Sequence, residues 1–347
     1  MSFFVKIIAL ATVTLFLASC QQSTTEPQAQ QNPLVVPAGF PQPVIPLDNP
    51  INSAKIELGR DLFYETRLSF NNTISCSSCH SLTASFSDSG KSVSTGANGQ
   101  VGTRNAPGLM NVAYDTNFFW DGRASSLEIQ AGFPILNPIE MGSDSNAVVV
   151  VLNKVQYYRD QFAKAFGEGS QITFTRIRQA IATFERTLIS GGSPYDRFVN
   201  GDSSALSTSA QRGLTLFNSS RTNCSKCHSG INFTDNAYHS TALTEVYSDE
   251  GREDVTHNPD DNGKFRTPSL RNVTLTPPYM HDGTFLDLLS IINNYNVGGR
   301  QTATQDSLVH PLNLIPSEWN ELVDFLKSLT DTNFTKRSDF TKPNIPN

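Results

Sequence analysis

The sequence has few charged residues and no long basic run. Lys, Arg, Asp and Glu make up 17% of its 347 residues, and its formal net charge is −6. A nucleic-acid-binding domain is expected to carry a basic patch or stripe, so we expect no nucleic-acid partner. The hydrophobic fraction of 38% is typical of a folded protein, and the length suffices for about two domains.

Nothing after residue 20 is apolar for long enough to cross a membrane, and the apolar run before it is too short to do so. This run extends from Ile7 to Leu17 and is followed by Ala18, Ser19 and Cys20. Its length is typical of a signal-peptide core, and small residues before a cysteine resemble a bacterial lipobox. We therefore expect residues 1–20 to be a lipoprotein signal peptide and Cys20 to carry the lipid. The alternative is an ordinary signal peptide with a chance cysteine.

Residues 21–40 are predicted to form a flexible tether. The stretch from Gln21 to Pro37 is rich in Gln, Thr and Pro and offers little to bury. We expect the rest of the chain to lie on the periplasmic side, attached to the membrane only through its lipid. Gln21 stands where an aspartate retention signal would be, which favours the outer membrane.

Cysteine is scarce, and the four cysteines other than Cys20 form two copies of one pattern. The copies are Cys76-x-x-Cys79-His80 and Cys224-x-x-Cys227-His228. Two cysteines at this spacing can form thioethers to one haem, and the histidine that follows becomes the axial ligand of its iron. Four cysteines in an exported protein would usually be interpreted as forming disulfides. A zinc site does not require the adjacent histidine, and a thioredoxin-like dithiol would appear once, in a βαβ pattern. The repeated motif favours two covalently bound haem c groups.

Further segments repeat in the same order around the two motifs. They are Gly59–Phe63 and Gly213–Phe217 as G-x-x-L-F, Pro107–Val112 and Pro268–Val273 as P-x-L-x-N-V, and Trp120–Gly122 and His281–Gly283. Chance could produce any one of these matches, but their shared order predicts two homologous modules. We assign an N-terminal haem domain to residues 41–203, a C-terminal haem domain to 204–335 and a tail to 336–347.

Each module is predicted to be mainly helical. Helices are predicted at 146–166, 174–189 and 318–329, and Ser207 to Ser209 can cap another helix that carries Phe217. The helix at 174–189 places four apolar residues on one face, namely Ile177, Ile181, Phe184 and Leu188. The polar stretches 87–102 and 249–263 are rich in Gly or Asp and are predicted to be loops. The fold class is mainly α.

Four motifs complete a resemblance to a known family. They are Arg104-Asn105-Ala106-Pro107, Phe119-Trp120-Asp121-Gly122-Arg123, Pro138-Ile139-Glu140-Met141 and Pro278-Tyr279-Met280-His281-Asp282-Gly283. With the two C-x-x-C-H motifs, they resemble the bacterial dihaem cytochrome c peroxidase family over residues 40–330. The resemblance implies two cytochrome c-like helical domains with a calcium ion between them. It also implies one peroxidatic haem and one electron-transfer haem.

The first haem is expected to have a vacant sixth position. A haem reacts with peroxide only if this position is open or can be vacated. In the peroxidase branch of the family a histidine often fills it, but no histidine lies between His80 and His228. Met110 and Met141 are the local alternatives, and Met110 belongs to a repeated packing segment. We therefore expect this haem to rest open, as in the MauG-like branch of the family.

The resemblance implies Glu140 as the catalytic carboxylate, with Gln130 as its polar neighbour. One carboxylate near the distal face can deprotonate peroxide and then protonate the oxygen that leaves. The alternative is that Glu140 is an exposed surface glutamate. Trp120 stands where the family has an aromatic residue between the haems, where it either carries electrons or fills the interface.

The remaining implied ligands concern the second haem and the calcium ion. Tyr295 stands at the place of the second haem's sixth ligand in MauG-like proteins, although a tyrosine in such a helix is usually core. Met280 is the alternative ligand. The implied calcium ligands, which could equally be turn or capping residues, are Asn105, Thr276 and Pro278. The histidines predicted to lie at the surface are His239, His257 and His310.

Three functions compete for this sequence. The first is a peroxidase that reduces hydrogen peroxide to water with electrons from a small cytochrome c or cupredoxin. The second is a MauG-like oxidase that uses peroxide to modify a partner protein. The third is a dihaem electron carrier, which requires strong axial ligands on both irons. We favour the peroxidase, because the motifs specify peroxide chemistry better than they specify the electron source. A homodimer is a further expectation for its assembly.

Overall fold

The computed structural model describes residues 33–346 of the chain. The signal peptide, the lipidation site Cys20 and residues 21–32 of the tether lie outside the described residues, so what the sequence predicts for them stays a prediction. Within residues 33–346, no helix is long and apolar enough to cross a membrane.

Helices dominate the described part of the chain, which confirms the predicted mainly α class. The α-helices are α1 (Ser53–Phe63), α2 (Leu127–Gln130), α3 (Gly132–Leu136), α4 (Ser145–Asn153), α5 (Gln156–Phe166), α6 (Phe174–Glu185), α7 (Pro194–Val199), α8 (Thr208–Phe217), α9 (Cys224–Cys227), α10 (Glu253–Thr256), α11 (Leu288–Val297) and α12 (Pro316–Ser328). Short 3-10 helices lie at Thr66–Leu68, Cys76–Ser78, Leu82–Ala84, Val112–Tyr114, Pro259–Asp261, Val273–Leu275, Phe334–Lys336 and Ser338–Phe340. Two short strands, β1 (Tyr238–His239) and β2 (Phe265–Arg266), pair antiparallel.

Most predicted elements exist, but their boundaries differ. The predicted helix 146–166 is two helices, α4 and α5, because Val155 between them is extended. The valine run in α4 has low helix propensity, and the Asn153 side chain competes for the carbonyl of Val149 at its end. The Ser207 cap is confirmed, because its hydroxyl accepts the N–H of Ala210. The predicted loop 249–263 contains a helical turn, α10.

A repeated helix crossing explains why G-x-x-L-F occurs twice. A Cβ atom on Gly59 of α1 would lie 2.0 Å from the carbonyl oxygen of Ala180 in α6. A Cβ atom on Gly213 of α8 would lie 1.9 Å from the carbonyl oxygen of Glu321 in α12. Only glycine permits two helix backbones to approach this closely. The pairs α1–α6 and α8–α12 are therefore equivalent in the two modules.

The two P-x-L-x-N-V motifs meet at one buried serine. Asn111 and Asn272 are fully buried, and both have the left-handed backbone that asparagine tolerates. Asn111 exchanges two hydrogen bonds with the backbone of Ser190, and Asn272 donates to the Ser190 hydroxyl at 3.0 Å. The repeated asparagines therefore join the two modules to the segment that follows α6.

The end of the chain packs into the first module. Phe334 and Phe340 are each 1% exposed and contact the ring of Phe86. The hydroxyl of Tyr64 donates to the carbonyl of Phe340 at 2.7 Å. The aromatic core of the N-terminal module is thus completed by residues that follow α12.

Candidate functional site

Each C-x-x-C-H motif forms one helical turn on the wall of a cavity. The first turn spans Cys76–Ser78, and the N–H of His80 donates to the carbonyl of Cys76 at 3.0 Å. The second is α9, where the N–H of His228 donates to the carbonyl of Cys224 at 2.9 Å. The N-terminal cavity, of about 400 Å³, is lined by Cys76, Cys79 and His80. The C-terminal cavity, of about 270 Å³, is lined by Cys224, Cys227 and His228.

The two histidines have equivalent environments. Nδ1 of His80 lies 2.8 Å from the carbonyl oxygen of Phe86, and Nδ1 of His228 lies 3.0 Å from that of Phe233. Burial lowers the pKa of both imidazoles, which keeps them neutral. A carbonyl partner on Nδ1 fixes the tautomer and leaves Nε2 available to a metal.

These residues fit a covalently attached haem in each cavity. Both cysteine pairs are free thiols, and burial raises the pKa of the thiols of Cys76, Cys79 and Cys224. Each pair shares its cavity wall with a neutral histidine. Two thiols for thioethers and one neutral imidazole for iron are the groups that haem c requires.

Glu140 and Gln130 both lie on the wall of the N-terminal cavity. The side chain of Asn137 donates to Glu140 Oε1 at 2.7 Å. Burial raises the pKa of the Glu140 carboxyl, although Asn137 and the positive charge of Arg123 act in the opposite direction. Gln130, at the end of α2, has a buried Oε1 atom that makes no hydrogen bond among the described residues. Glu140 is thus not the exposed surface residue of the alternative interpretation.

The structure separates the two methionines considered as ligands of the first haem. Met141 is 3% exposed and lines the N-terminal cavity. Met110 is also buried, but it lines the C-terminal cavity instead. Of these two sulfur groups, only that of Met141 lies on the wall that carries His80.

Tyr295 and Met280 both line the C-terminal cavity with His228. Tyr295 lies on α11, and burial raises the pKa of its phenol. A buried phenol without a facing cation stays neutral, whereas a metal ion would favour the phenolate. Both alternatives for the sixth ligand of the second haem are therefore present on the same wall.

Trp120 and Asn105 line both cavities. The indole N–H of Trp120 donates to the carbonyl of Asn105 at 2.9 Å, and the backbone N–H of Asn105 donates to the carbonyl of His281 at 2.7 Å. His281 stacks on Phe265, with 3.6 Å between ring centroids. Trp120 thus lies where the walls of the two cavities meet.

Asn105, Thr276 and Pro278 share the wall of the C-terminal cavity. The side-chain nitrogen of Asn105 donates to the carbonyls of Lys91 and Ser92, at 3.2 and 3.1 Å. The atoms of these three residues that could bind a metal ion are oxygens, which are the ligands that calcium prefers.

Two of the histidines predicted to lie at the surface are instead partly buried on the wall of the C-terminal cavity. His239 lies between two carboxylates, with Nδ1 2.6 Å from Asp306 and Nε2 2.9 Å from Asp235. Contact with the Cys227 thiol, followed by these two carboxylates, raises the pKa of His239 to about 10, although burial acts in the opposite direction. His310 accompanies it on the wall. The polar surrounding sequence was misleading because the partner Asp306 is distant along the chain. His257 is exposed, as predicted.

Sequence reasoning assigned no role to most of the charged residues that line the N-terminal cavity, and Glu185 and Arg104 are two of them. Glu185 is 3% exposed and lines this cavity. Its position four residues after Ile181 places it on the predicted apolar face of the helix, and this was the available signal. Arg104 lines the same cavity and pairs with Asp121 and, at 2.6 Å, with Asp249. Its partner Asp249 is 145 residues away, which no local pattern reveals.

Comparisons with known proteins agree on one family. A family model described as di-haem cytochrome c peroxidase matches residues 53–204. The methylamine utilization protein MauG of Methylophilus methylotrophus is 35% identical over 93% of this chain and 94% of its own length. The cytochrome c551 peroxidase of Nitrosomonas europaea is 36% identical over 88% of each chain. The crystal structure of a MauG-like protein associated with microbial copper homeostasis has a TM-score of 0.85 and 35% identity. The match covers 89% of this chain and 98% of the chain in that crystal structure.

Proposed function

This chain belongs to the di-haem cytochrome c peroxidase family, and we propose that it reduces hydrogen peroxide to water at the N-terminal cavity. The family makes it an oxidoreductase that acts on peroxide. The observation that carries the proposal is the position of Glu140, which shares the wall of one cavity with Cys76, Cys79 and His80. A carboxyl group that can exchange protons is thereby placed beside the expected haem.

The residues of the N-terminal cavity have separate roles in the proposed reduction of peroxide. Cys76 and Cys79 would hold the haem, and Nε2 of His80 would bind its iron. A bound haem supplies the site at which peroxide is reduced. Glu140 accepts a proton from hydrogen peroxide and then donates it to the oxygen that leaves as water. Asn137 holds the Glu140 carboxylate in place through its bond to Oε1.

Gln130 would orient the substrate in this scheme. Its Oε1 atom, which no described residue donates to, is a hydrogen-bond acceptor on the cavity wall. A buried acceptor without a partner is costly, so a hydroxyl group of peroxide or water that donates to it would be favoured. The amide thereby aligns a small polar substrate against Glu140.

The second module would supply the electrons. Cys224, Cys227 and His228 would hold the second haem, and Trp120 on the shared wall would connect it to the first. We propose a small cytochrome c or cupredoxin as the donor. We also propose that a calcium ion is bound by oxygens of Asn105, Thr276 and Pro278, where it would stiffen this junction. Removal of calcium by a chelator should then slow electron transfer between the haems, measured by stopped-flow absorbance.

Steady-state turnover tests the main proposal. The purified, haem-loaded chain is mixed with hydrogen peroxide and a reduced small cytochrome c or cupredoxin, and donor oxidation is followed optically. We expect two donor molecules to be oxidised per peroxide. Optical and electron paramagnetic resonance spectra of the resting protein should show a high-spin ferric haem. Two low-spin haems that do not respond to peroxide would leave only the electron carrier.

A second candidate function is oxidation of a partner protein. Tyr295 favours it, because the phenol lies on the C-terminal cavity wall with His228 and a phenolate ligand would lower the reduction potential of a haem and favour high-valent iron. Tyr295→Phe should change the spectrum of the second haem and leave that of the first unchanged. Peroxide-dependent mass changes in a co-purified protein, with little turnover of soluble donors, would favour this function.

The location of the protein is proposed from the sequence alone. Lipidation of Cys20 would anchor the chain on the periplasmic side, most simply at the outer membrane. Cys20→Ser should release the protein from the membrane fraction, and labelled palmitate should be incorporated only when Cys20 is present. Labelling that persists in the variant would place the anchor elsewhere.

A further inference from the structure

Glu185 is a buried carboxyl group that the proposed reaction does not use. It ends α6, is 3% exposed and lines the N-terminal cavity together with Cys76. Its Oε2 atom is buried and makes no hydrogen bond among the described residues. A buried carboxylate is strongly unfavourable unless it is paired, so an unpaired one is normally protonated.

The neighbouring cation is already committed to another carboxylate. The guanidinium group of Arg186 pairs with both oxygens of Glu128 on α2, at 2.6 and 3.0 Å. Asn49 donates to the same Glu128 carboxylate at 2.7 Å. Burial raises the pKa of Glu185 to about 8, with a lowering contribution from Arg186 and a raising one from Glu128. Within residues 33–346, Glu185 therefore has no counter-charge of its own.

The other titratable groups near α6 do not supply that charge. On α1, which packs against α6, Lys55 donates to Asn49 and to the carbonyl of Pro50, and Asp61 accepts from Tyr157. Helix α4 has no charged residue. The arginines on the cavity wall are each paired with other carboxylates: Arg104 with Asp121 and Asp249, Arg123 with Asp121, and Arg266 with Asp115. Glu140 on the same wall is itself acidic, and thioether formation would make the Cys76 thiol permanently neutral.

The corresponding position in the C-terminal module is apolar. Gly59 approaches Ala180 and the Cβ of Phe184, and Gly213 approaches Glu321 and the Cβ of Phe325. The residue after Phe184 is Glu185, and the residue after Phe325 is Leu326, which lines the C-terminal cavity. The same place on the two walls thus holds a carboxyl group in one module and a hydrocarbon in the other.

We propose that Glu185 is the proton-coupled group of the N-terminal haem. Its carboxylate takes up one proton from solvent when the haem iron gains one electron from the donor. Its O–H bond breaks, and the proton returns to solvent, when the iron loses that electron. The physical reason is that a buried Glu185 carboxylate is tolerable only opposite a buried positive charge. Oxidised haem iron would supply that positive charge, and its reduction would remove it.

The reduction potential of this haem must then depend on pH. Because reduction is coupled to proton uptake, the potential falls as pH rises. The fall is up to 59 mV per pH unit for one proton and one electron. It is confined to the interval between the pKa of Glu185 opposite oxidised iron and its higher pKa opposite reduced iron. A haem held by Cys224, Cys227 and His228 would lack this contribution, because Leu326 occupies the corresponding place on that cavity wall.

A spectroelectrochemical titration of the full haem-loaded chain tests the inference. Both haems are titrated from about pH 6 to about pH 9 in the unmodified protein, Glu185→Gln and Glu185→Leu. Glu185→Leu introduces the residue type that the C-terminal module has at the corresponding place. Glu168→Gln, which changes an exposed glutamate, is the control. We expect the slope at the first haem to be lost in both Glu185 variants and kept in the control, with the second haem unchanged.

A flat potential in the unmodified protein would overturn the inference, whatever the variants do. A slope that persists in either Glu185 variant would also overturn the inference, because the pH dependence would then come from Glu140 or a haem propionate. The inference rests on haem attachment at Cys76 and Cys79, as proposed above, but not on turnover. A pH-dependent potential without peroxide turnover would sustain it while refuting the peroxidase, and absence of the first haem would refute both.

Discussion

In the N-terminal module, two carboxyl groups on the cavity wall, those of Glu140 and Glu185, have no cation within ion-pair distance among the described residues. In the C-terminal module, Asp306 on the cavity wall pairs with His239 at 2.6 Å, and Leu326 replaces Glu185. The shared features are the helical turn of C-x-x-C-H, the carbonyl-bound histidine and the glycine helix crossing. The two equivalent walls therefore differ in their unpaired carboxyl groups, which are the groups that we propose exchange protons in the N-terminal cavity.

Replacement of His80 and His228, the proposed iron ligands, should have the largest effect on this comparison. In His80→Gly the proposed thioethers should keep the first haem attached, but peroxide reduction should be abolished. In His228→Gly the chemically reduced first haem should still react with peroxide, whereas electrons from the donor protein should no longer reach it. Haem content and stopped-flow absorbance check both outcomes. The reverse pattern would exchange the roles that we assign to the modules.

Glu140→Gln should lower turnover by about 10²- to 10⁴-fold, the usual contribution of a general acid–base group. Because burial raises the pKa of Glu140 and its first task needs the ionised form, turnover should rise with pH through that raised pKa. The variant should lose this rise and retain both haems. Steady-state pH profiles measure the effect, with Glu168→Gln as the control. An unchanged profile in Glu140→Gln would remove Glu140 from the mechanism.

Arg271 and Met110 occupy the same place in the two P-x-L-x-N-V motifs. Arg271 is 2% exposed and pairs with both oxygens of Asp196 at 2.9 Å. Arg271→Met should lower the free energy of unfolding by about 3–5 kcal/mol, because Asp196 is left buried without its partner. Met110→Leu preserves volume and should cost less than about 1.5 kcal/mol. Denaturant unfolding of the haem-loaded chain measures both, and equal losses would show that the ion pair carries no special weight.

The glycine crossings should respond alike in the two modules. Gly59→Ala and Gly213→Ala each force a helix backbone to move, and we expect a loss of about 1–3 kcal/mol in the free energy of unfolding for each. At Gly102 an added Cβ meets nothing closer than 3.6 Å, so Gly102→Ala is the matched control. Thermal unfolding checks the three variants. A loss in only one module would mean that the crossings are not equivalent.

Local sequence predicted the haem motifs, the mainly helical class and the repeat, because each depends on residues close in the chain or on motif order. It failed where partners are distant. His239 meets Asp306 across 67 residues, so its polar neighbours suggested a surface position. Glu185 lies on the apolar face of its helix but at the helix end, where a glutamate is often exposed to solvent. Only the position of the cavity shows that this glutamate is buried. The break between α4 and α5 depends on side-chain competition for one carbonyl, which periodicity does not detect.

The position of Phe334 and Phe340 beside Phe86 has a consequence for folding. The hydrophobic core around Cys76 includes residues that follow α12, and Tyr64 and Phe340, which meet there, are 276 residues apart in the chain. Closing so long a loop costs conformational entropy, so we expect this core to be completed only after α12 has packed in its own module. A chain truncated before Phe334 should therefore leave the ring of Phe86 exposed.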